Sequence, residues 1–431
     1  MSRPKITVFF AVCMIFLLYS PLWPADSQDN YGSAADYLNR IYGTDENAGL
    51  TAFPVLNVPM GGRSEGMASA FSAAADDVSF IEYNPAGSSM LAKSELAFFH
   101  NNWAADTKLE GIVYATRFEN FGLATGIKWM YTPFTEYNLY GDRVSNGYYS
   151  EGVAILNASY NFLSGYYFSG LSFGVSLKGA FRVMPDFTGN DGFTDDDMII
   201  SGSGISQSAI MGMADVGVLS RFNLLKLYDA REKNASAALV IRNLGPPSME
   251  EPLPTVINAA ISYKPMRPLL IAFDFNLPIN MTDITLSELP YFAVGLSANV
   301  TSFLSMRAGV MFKAGSSRVS VGSAVTLNKI AVDVNYTLDL LTQFQPLNRI
   351  SLGVRFDLGD GGRKQKADKV DELYLLGLDA YSRGDLAEAR DYFEEVLQMD
   401  PGFDPAKEGL DMLRNREGLN RRIEDLYKLE F

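Results

Sequence analysis

Between Glu95 and Leu358 the chain alternates apolar and polar residues in runs of roughly ten, each closed by a turn. The run Arg349-Ile350-Ser351-Leu352-Gly353-Val354-Arg355-Phe356-Asp357-Leu358 is the plainest: every even position is apolar and every odd one is polar or glycine. A period of two gives a β-strand with one apolar and one wet face. Roughly ten residues is also the length a tilted strand needs to cross the hydrocarbon of a bilayer. Strands are predicted near 95–104, 109–118, 121–131, 152–162, 169–182, 207–222, 235–244, 255–263, 268–277, 290–301, 304–313, 318–327, 329–339 and 349–358. Taken alternately, the connections sort into two sets. One is tight, at Glu119-Asn120, 163–168, 264–267, Ser302-Phe303 and Asn328, with only 223–234 longer; the other holds 132–151, 183–206, 245–254 and 278–289. Short turns at one end and long loops at the other are the asymmetry of an outer-membrane barrel, whereas a water-soluble β-sandwich alternates without sorting its loops. The pattern predicts an all-β transmembrane barrel of about 14 antiparallel strands over 94–359. Both ends of that segment then lie on the short-turn, periplasmic side.

The predicted faces put lipid outside and water inside. Leu171, Phe173, Val175, Leu177 and Phe181 share one side of a strand, as do Leu269, Ile271, Phe273, Phe275 and Leu277, and again Ile330, Val332, Val334, Tyr336 and Leu338. The charges Lys178, Arg182, Asp274, Asp333, Arg355 and Asp357 fall on the opposite face. By periodicity these are lumen residues, paired with one another or open to a ligand; Lys178, Arg182 and Arg355 are the candidates to meet a carboxylate.

The flanks read differently. Residues 1–25 have the form of a signal peptide, with Arg3 and Lys5 before an apolar Ile6 to Leu18; a retained N-terminal anchor is the alternative. Cys13 is the only cysteine and lies inside that apolar stretch, so the mature chain has no thiol for a disulfide, a metal or nucleophilic attack. Residues 26–93 lack strand alternation, 360–366 form a polar linker, and 367–431 are helical. Composition agrees with a barrel: 47% hydrophobic and 12% aromatic, with 22 tyrosines and 28 phenylalanines, yet no apolar run of eighteen residues after the signal. A formal charge of −14 without a basic stripe makes nucleic acid a poor partner.

Within 26–93, Tyr31 to Tyr42 suits a short helix, and the Ala- and Ser-rich run from Gly61 to Asp77 suits a small-residue helix that packs closely. A turn follows at Asn84-Pro85-Ala86-Gly87. Pro85 keeps Asn84 out of the helical region, and the Asn84 side chain can cap neighbouring backbone groups. Such a segment suits a plug folded back into the lumen. The run from Gly61 through Asp76-Asp77 to Asn84-Pro85-Ala86-Gly87 resembles the hatch of the FadL-type long-chain fatty-acid transporter family, a pattern shared by PorV-like outer-membrane proteins. Strand number and loop order extend the resemblance to about 60–359. It implies a barrel plugged by an N-terminal hatch that passes hydrophobic molecules, which leave sideways through a kink in the third strand. The matching stretch here is 121–131, where Gly122 and Gly126 mark a bulge or bend, or else serve close packing. Two features depart from that family: the C-terminal helices, and the lack of an identifiable hydrophobic landing loop.

Leu373, Leu376, Gly377, Ala380 and Tyr381, then Gly384-Asp385, Ala389, Phe393 and Pro401, resemble one tetratricopeptide repeat, with a further helix from about Pro405 to Leu413 and beyond. Such arrays need about three repeats to bury a core. These helices must therefore dock on the periplasmic rim, dimerise or receive a protein partner. Phe356, in the last strand, is a better barrel-assembly signal than the terminal Phe431.

Catalytic chemistry is sparse. His100 is the only histidine; Asp186, Asp191 and Asp195-Asp196-Asp197 lack the spacing of a calcium loop; Gly202-Ser203-Gly204 lacks the context of a phosphate cradle. No nucleophile–base pair is found, so no enzyme and no cofactor or metal are expected. The expectation is a passive outer-membrane channel for hydrophobic molecules such as long-chain fatty acids. The alternative is a non-conducting barrel that serves secretion or envelope assembly as a docking platform, through a periplasmic partner of 367–431.

Overall fold

The computed structural model describes residues 43, 45–103, 106–137, 141, 143–184, 208–228, 232–340 and 347–429. Residues 1–25, expected to be a signal peptide, the helix expected over Tyr31–Tyr42, the aspartates at 186, 191 and 195–197, Gly202–Gly204 and Phe431 lie outside the described residues. Among the described residues fourteen strands close into an antiparallel barrel, each bonded to its neighbours in sequence and the first to the last. They are β1 (Ser94–Asn102), β2 (Lys108–Phe118), β3 (Phe121–Tyr137), β4 (Arg143–Phe162), β5 (Leu171–Val183), β6 (Ala209–Phe222), β7 (Ala235–Leu244), β8 (Thr255–Met266), β9 (Leu269–Ile279), β10 (Tyr291–Asn299), β11 (Leu304–Phe312), β12 (Ser317–Leu327), β13 (Ile330–Leu340) and β14 (Leu347–Gly359).

Burial follows the period of two. Along β5, Leu171, Phe173, Val175 and Leu177 face out, while Ser172, Ser176, Lys178 and Ala180 are buried inside. The outer rows of β9 and β13 match it: Phe273 and Phe275 are exposed beside buried Asp274, and Val332 and Val334 beside buried Asp333. Near the long-loop end Trp129, Tyr131 and Tyr148 form an aromatic chain, with ring centroids 5.1 and 6.2 Å apart. That is the girdle a barrel places where lipid meets water. His100 also faces outward there and meets Glu110 at 2.8 Å.

The stretch 132–151, expected as a loop, is mostly strand. β3 and β4 run for 17 and 20 residues and stay paired out to Tyr137 and Arg143. A transmembrane strand needs about 9–11 residues, so this hairpin projects past the belt. Both its faces meet solvent there, which removes the alternation that would have revealed it. β2 ends opposite Tyr131, so beyond that point β3 is an edge strand. Pro133 is therefore tolerated, because its missing N–H is on the open side.

The N-terminal segment fills the lumen and crosses it from end to end. At the long-loop rim Asp45 accepts from the Leu289 N–H at 2.8 Å, and Ala52 donates to the Pro252 carbonyl at 2.9 Å. It leaves at the short-turn rim, where Lys93 pairs with Asp357. The helix expected through the Ala- and Ser-rich run is confined to α1 (Gly62–Gly66). Beyond it Ala68, Ser69 and Ala75 have φ of 50°, 70° and 35°, which no continuing helix allows. The wall supplies the hydrogen bonds a helix would have made. Asp274 accepts from the Ser72 N–H (3.1 Å), and the Ser236 hydroxyl donates to the Ala73 carbonyl (2.6 Å).

The C-terminal helices are α2 (Arg363–Arg383), α3 (Leu386–Met399) and α4 (Asp404–Leu429). α2 starts inside the stretch 360–366 read as a linker. Gly384 ends α2 in the left-handed region (φ 86°), and Asp385 caps α3 by accepting from the Glu388 N–H. Leu373, Ala380, Ala389, Phe393, Val396 and Phe403 make a small separate core. The group docks on the short-turn rim. Arg363 donates to the Ala92 carbonyl (2.7 Å), Lys366 pairs with Glu119 (2.8 Å), and the Tyr166 and Phe403 rings meet at 5.0 Å.

Candidate functional site

The candidate site is the seam between hatch and barrel wall. The inward faces of the strands mix Ser, Gly, Asn and charged residues with apolar ones such as Phe99, Leu109 and Ile155, so the hatch meets a mixed surface at close range. A Cβ built on Gly122 would overlap the backbone of Ser88 and Ser89, and one on Gly174 the backbone of Pro85 and Ala86. Wall amides and hydroxyls donate to hatch carbonyls. Asn101 donates to Pro59 (3.0 Å), Asn335 to Gly62 (2.9 Å), Asn157 to Pro85 (2.9 Å) and Ser172 to Ala86 (2.7 Å). Asn84 is buried and extended (φ −149°), as Pro85 requires. Its side chain accepts from the Ala86 N–H at 3.0 Å and donates to the Ser72 carbonyl at 2.8 Å.

Ion pairs fasten the two bodies. Arg349 of β14, fully buried, donates to Glu65 of the hatch at 2.7 Å and meets Asp339 at 3.3 Å. Lys128 of β3 bonds to Glu82 at 2.6 Å. Arg355 reaches Asp77 and Asp333, each at 3.0 Å. Removing one partner from a buried pair costs about 3–5 kcal/mol, because the other charge is left without compensation. Within the hatch Arg63 donates to Asp76 at 2.5 Å. Burial by itself would push the Asp76 carboxyl up, but Arg63, Lys264 and Arg221 together hold it down to about 2.

The structure disperses the residues singled out from the sequence. Lys178 pairs with Asp215 (2.6 Å) and Asn243 (2.9 Å), where the β6–β7 register shifts between Ala214 and Val216. Arg182 pairs with Glu151 at 3.0 Å, and the other Glu151 oxygen accepts from the Val55 N–H at 3.0 Å. Of the three cations only Arg355 lines the cavity of about 250 Å³ at the short-turn end of the lumen. Of the two readings of Gly122 and Gly126, the bulge is absent, since β3 keeps register with both neighbours through that stretch. Both glycines face the hatch instead; a Cβ on Gly126 would meet Ile81 at 3.0 Å. Glu65, Glu82, Lys128, Arg307 and Arg349 were not foreseen. Alternation places the last three inside, but nothing local points to their partners, which lie up to 284 residues away.

The family described as "Uncharacterised protein family (UPF0164)" matches residues 32–361, and the tetratricopeptide repeat matches residues 370–403. A UPF0164 protein of Treponema pallidum (strain Nichols) is 29% identical over 393 residues, covering 88% of this chain and 86% of its own length. Among solved structures, CdiB from Acinetobacter baumannii aligns with a TM-score of 0.37 at 10% identity, over 61% of this chain and 60% of that one. The KdgM porin, solved with disordered oligogalacturonate, aligns with a TM-score of 0.28 at 14% identity, over 61% and 99%. At such scores neither likeness bears on what this barrel carries.

Proposed function

From a chain that belongs to the uncharacterised protein family UPF0164, we infer an outer-membrane channel in its closed state, with hydrophobic molecules such as long-chain fatty acids as its cargo. The observation that carries this reading is a separate body seated in the lumen through hydrogen bonds and ion pairs, such as Arg349–Glu65 and Lys128–Glu82. Pairs of this kind can trade partners for water as the body moves. The outer belt of Leu, Phe, Val and Tyr suits hydrocarbon, and charges are held on the inner face. Support for apolar cargo comes from the hatch itself, because Phe53, Phe71, Phe80, Met67 and Ile81 supply much of the apolar surface of the lumen. A displaced hatch would line the passage with these side chains.

Uptake of labelled oleate into vesicles holding the full chain tests the cargo. The expected result is uptake above that of protein-free vesicles, and more still when the hatch is deleted. Equal uptake in all three removes the fatty-acid reading. A second reading has its own observation: a tetratricopeptide repeat docked on the short-turn rim by Arg363, Lys366 and Phe403. Here the barrel is a platform for an envelope protein. Co-purification of a partner with the full chain but not with a chain ending at 362, with uptake unchanged by that truncation, favours it.

A further inference from the structure

The cavity of about 250 Å³ at the short-turn end of the lumen has a composition that hatch fastening leaves unexplained. Five basic side chains line it against three acidic ones. The acids are engaged. Asp76 accepts from Arg63, Asp77 from Arg355 and the Ser79 N–H, and Glu95 from the Val78 N–H at 3.0 Å. Among the described residues no group of three or more acidic or histidine side chains is placed to hold a metal ion, which sets cations aside. Two of the bases, Arg307 and Lys264, by contrast keep donors in reserve. Arg307 is nine-tenths buried and spends Nη1 on Asp333 at 2.5 Å, yet its buried Nε has no hydrogen-bond partner. Lys264 makes no ion pair among the described residues, and Arg267 stands exposed at the β8–β9 turn beside it. Adding Asp333, which lies behind Arg307 and Arg355, still leaves positive charge in excess.

We propose that this cavity is a binding site for a small oxyanion, a phosphate or carboxylate group, entering from the short-turn side. Guanidinium forks match the planar or tetrahedral oxygens of such groups and bond to them in pairs, and an ammonium adds a point charge. The volume is that of about eight waters at liquid density, enough for phosphate, glycerol 3-phosphate or a short dicarboxylate but too small for a lipid tail. Strands β8 to β12 form most of the mouth. The C-terminal helices dock on the β2–β3 turn and the β4–β5 loop and contribute none of its lining. The site is independent of the cargo proposed above: it needs only the folded barrel with its hatch in place.

Calorimetric titration of the full chain in detergent at low ionic strength, with inorganic phosphate as the probe, tests it. The expected result is saturable binding at one site per chain, weakened about tenfold or more in K264Q and in R267Q and unchanged in K366Q, whose lysine lies by the docked helices. Succinate and glycerol 3-phosphate run in parallel distinguish a carboxylate, a free phosphate and a phosphate ester as the preferred source. Heat-shifted gel mobility shows that each variant retains its barrel. No saturable heat with any of the three anions up to ~10 mM, or equal affinity in wild type, K264Q and R267Q, overturns the proposal.

Discussion

Single side chains brace the hatch and tie it to the wall. Asp76 binds its proton only near pH 2 in the folded protein, against about 4 for an ordinary aspartate. Between those values the unfolded chain binds more protons, so the contribution of this group is full above about pH 4 and fades as pH falls toward 2. Pepsin digestion across that window should begin to cut the wild-type hatch as the pH drops, while D76N is cut already at its upper edge. Identical profiles would show that the Arg63–Asp76 pair does not hold the hatch. Gly122 gives a second test, since a side chain there has no room beside Ser88 and Ser89. G122V should keep the heat-shifted barrel but lose about 1–3 kcal/mol and expose the hatch to protease; an unaltered digestion pattern would contradict the close contact.

Strands and helices carry their own tests. Leu177 lies at the middle of β5 on the outer face. L177K should destabilise the barrel in lipid vesicles by about 2–4 kcal/mol, read from urea unfolding, whereas a charge near either end of the strand should cost little. An equal effect at both depths would argue against a bilayer around this belt. The rim contact of the helices rests partly on Tyr166 against Phe403. Such a ring pair is worth about 0.5–1.5 kcal/mol beyond the area it buries. Y166A should therefore raise the rate at which protease releases the C-terminal segment, while the barrel itself stays intact. The hairpin of β3 and β4 shows the limit of periodicity at this scale: once a strand leaves the belt, neither face selects residues, and the pattern that names a strand disappears.

The molecule as a whole is a barrel with a hatch nested in it and helices docked on one rim, and the proposed channel depends on the seam between hatch and wall. Arg349 is the most heavily buried fastening, held by Glu65 on the hatch and Asp339 on the wall. R349A leaves Glu65 without its charged partner and should weaken the closed state by about 3–5 kcal/mol. In planar bilayers the wild type is expected to be silent and R349A to open stepwise. Silence in both would place the hatch outside any gating role. The cavity at the short-turn end belongs to this scale too, because hatch and wall each contribute charges to it and neither forms it alone.

Local chemistry was enough to foresee much of this. Alternation marked fourteen strands and their lipid face, since a side chain on a strand points in or out according to position parity. Asn84-Pro85 announced a capped turn, and the spacing around Gly384-Asp385 a tetratricopeptide repeat. What the sequence could not disclose was partnership. Parity placed Arg349 and Lys128 inside, but only closure of the barrel brought them to Glu65 and Glu82. The Ala- and Ser-rich run reads as a helix until a wall of Ser, Asn and Asp offers its backbone other partners. Gly122 reads equally as a bend or as a close-packing position until the hatch occupies the space of its missing side chain. Tertiary structure decided these points because each depends on a surface that exists only after the first and last strands have met.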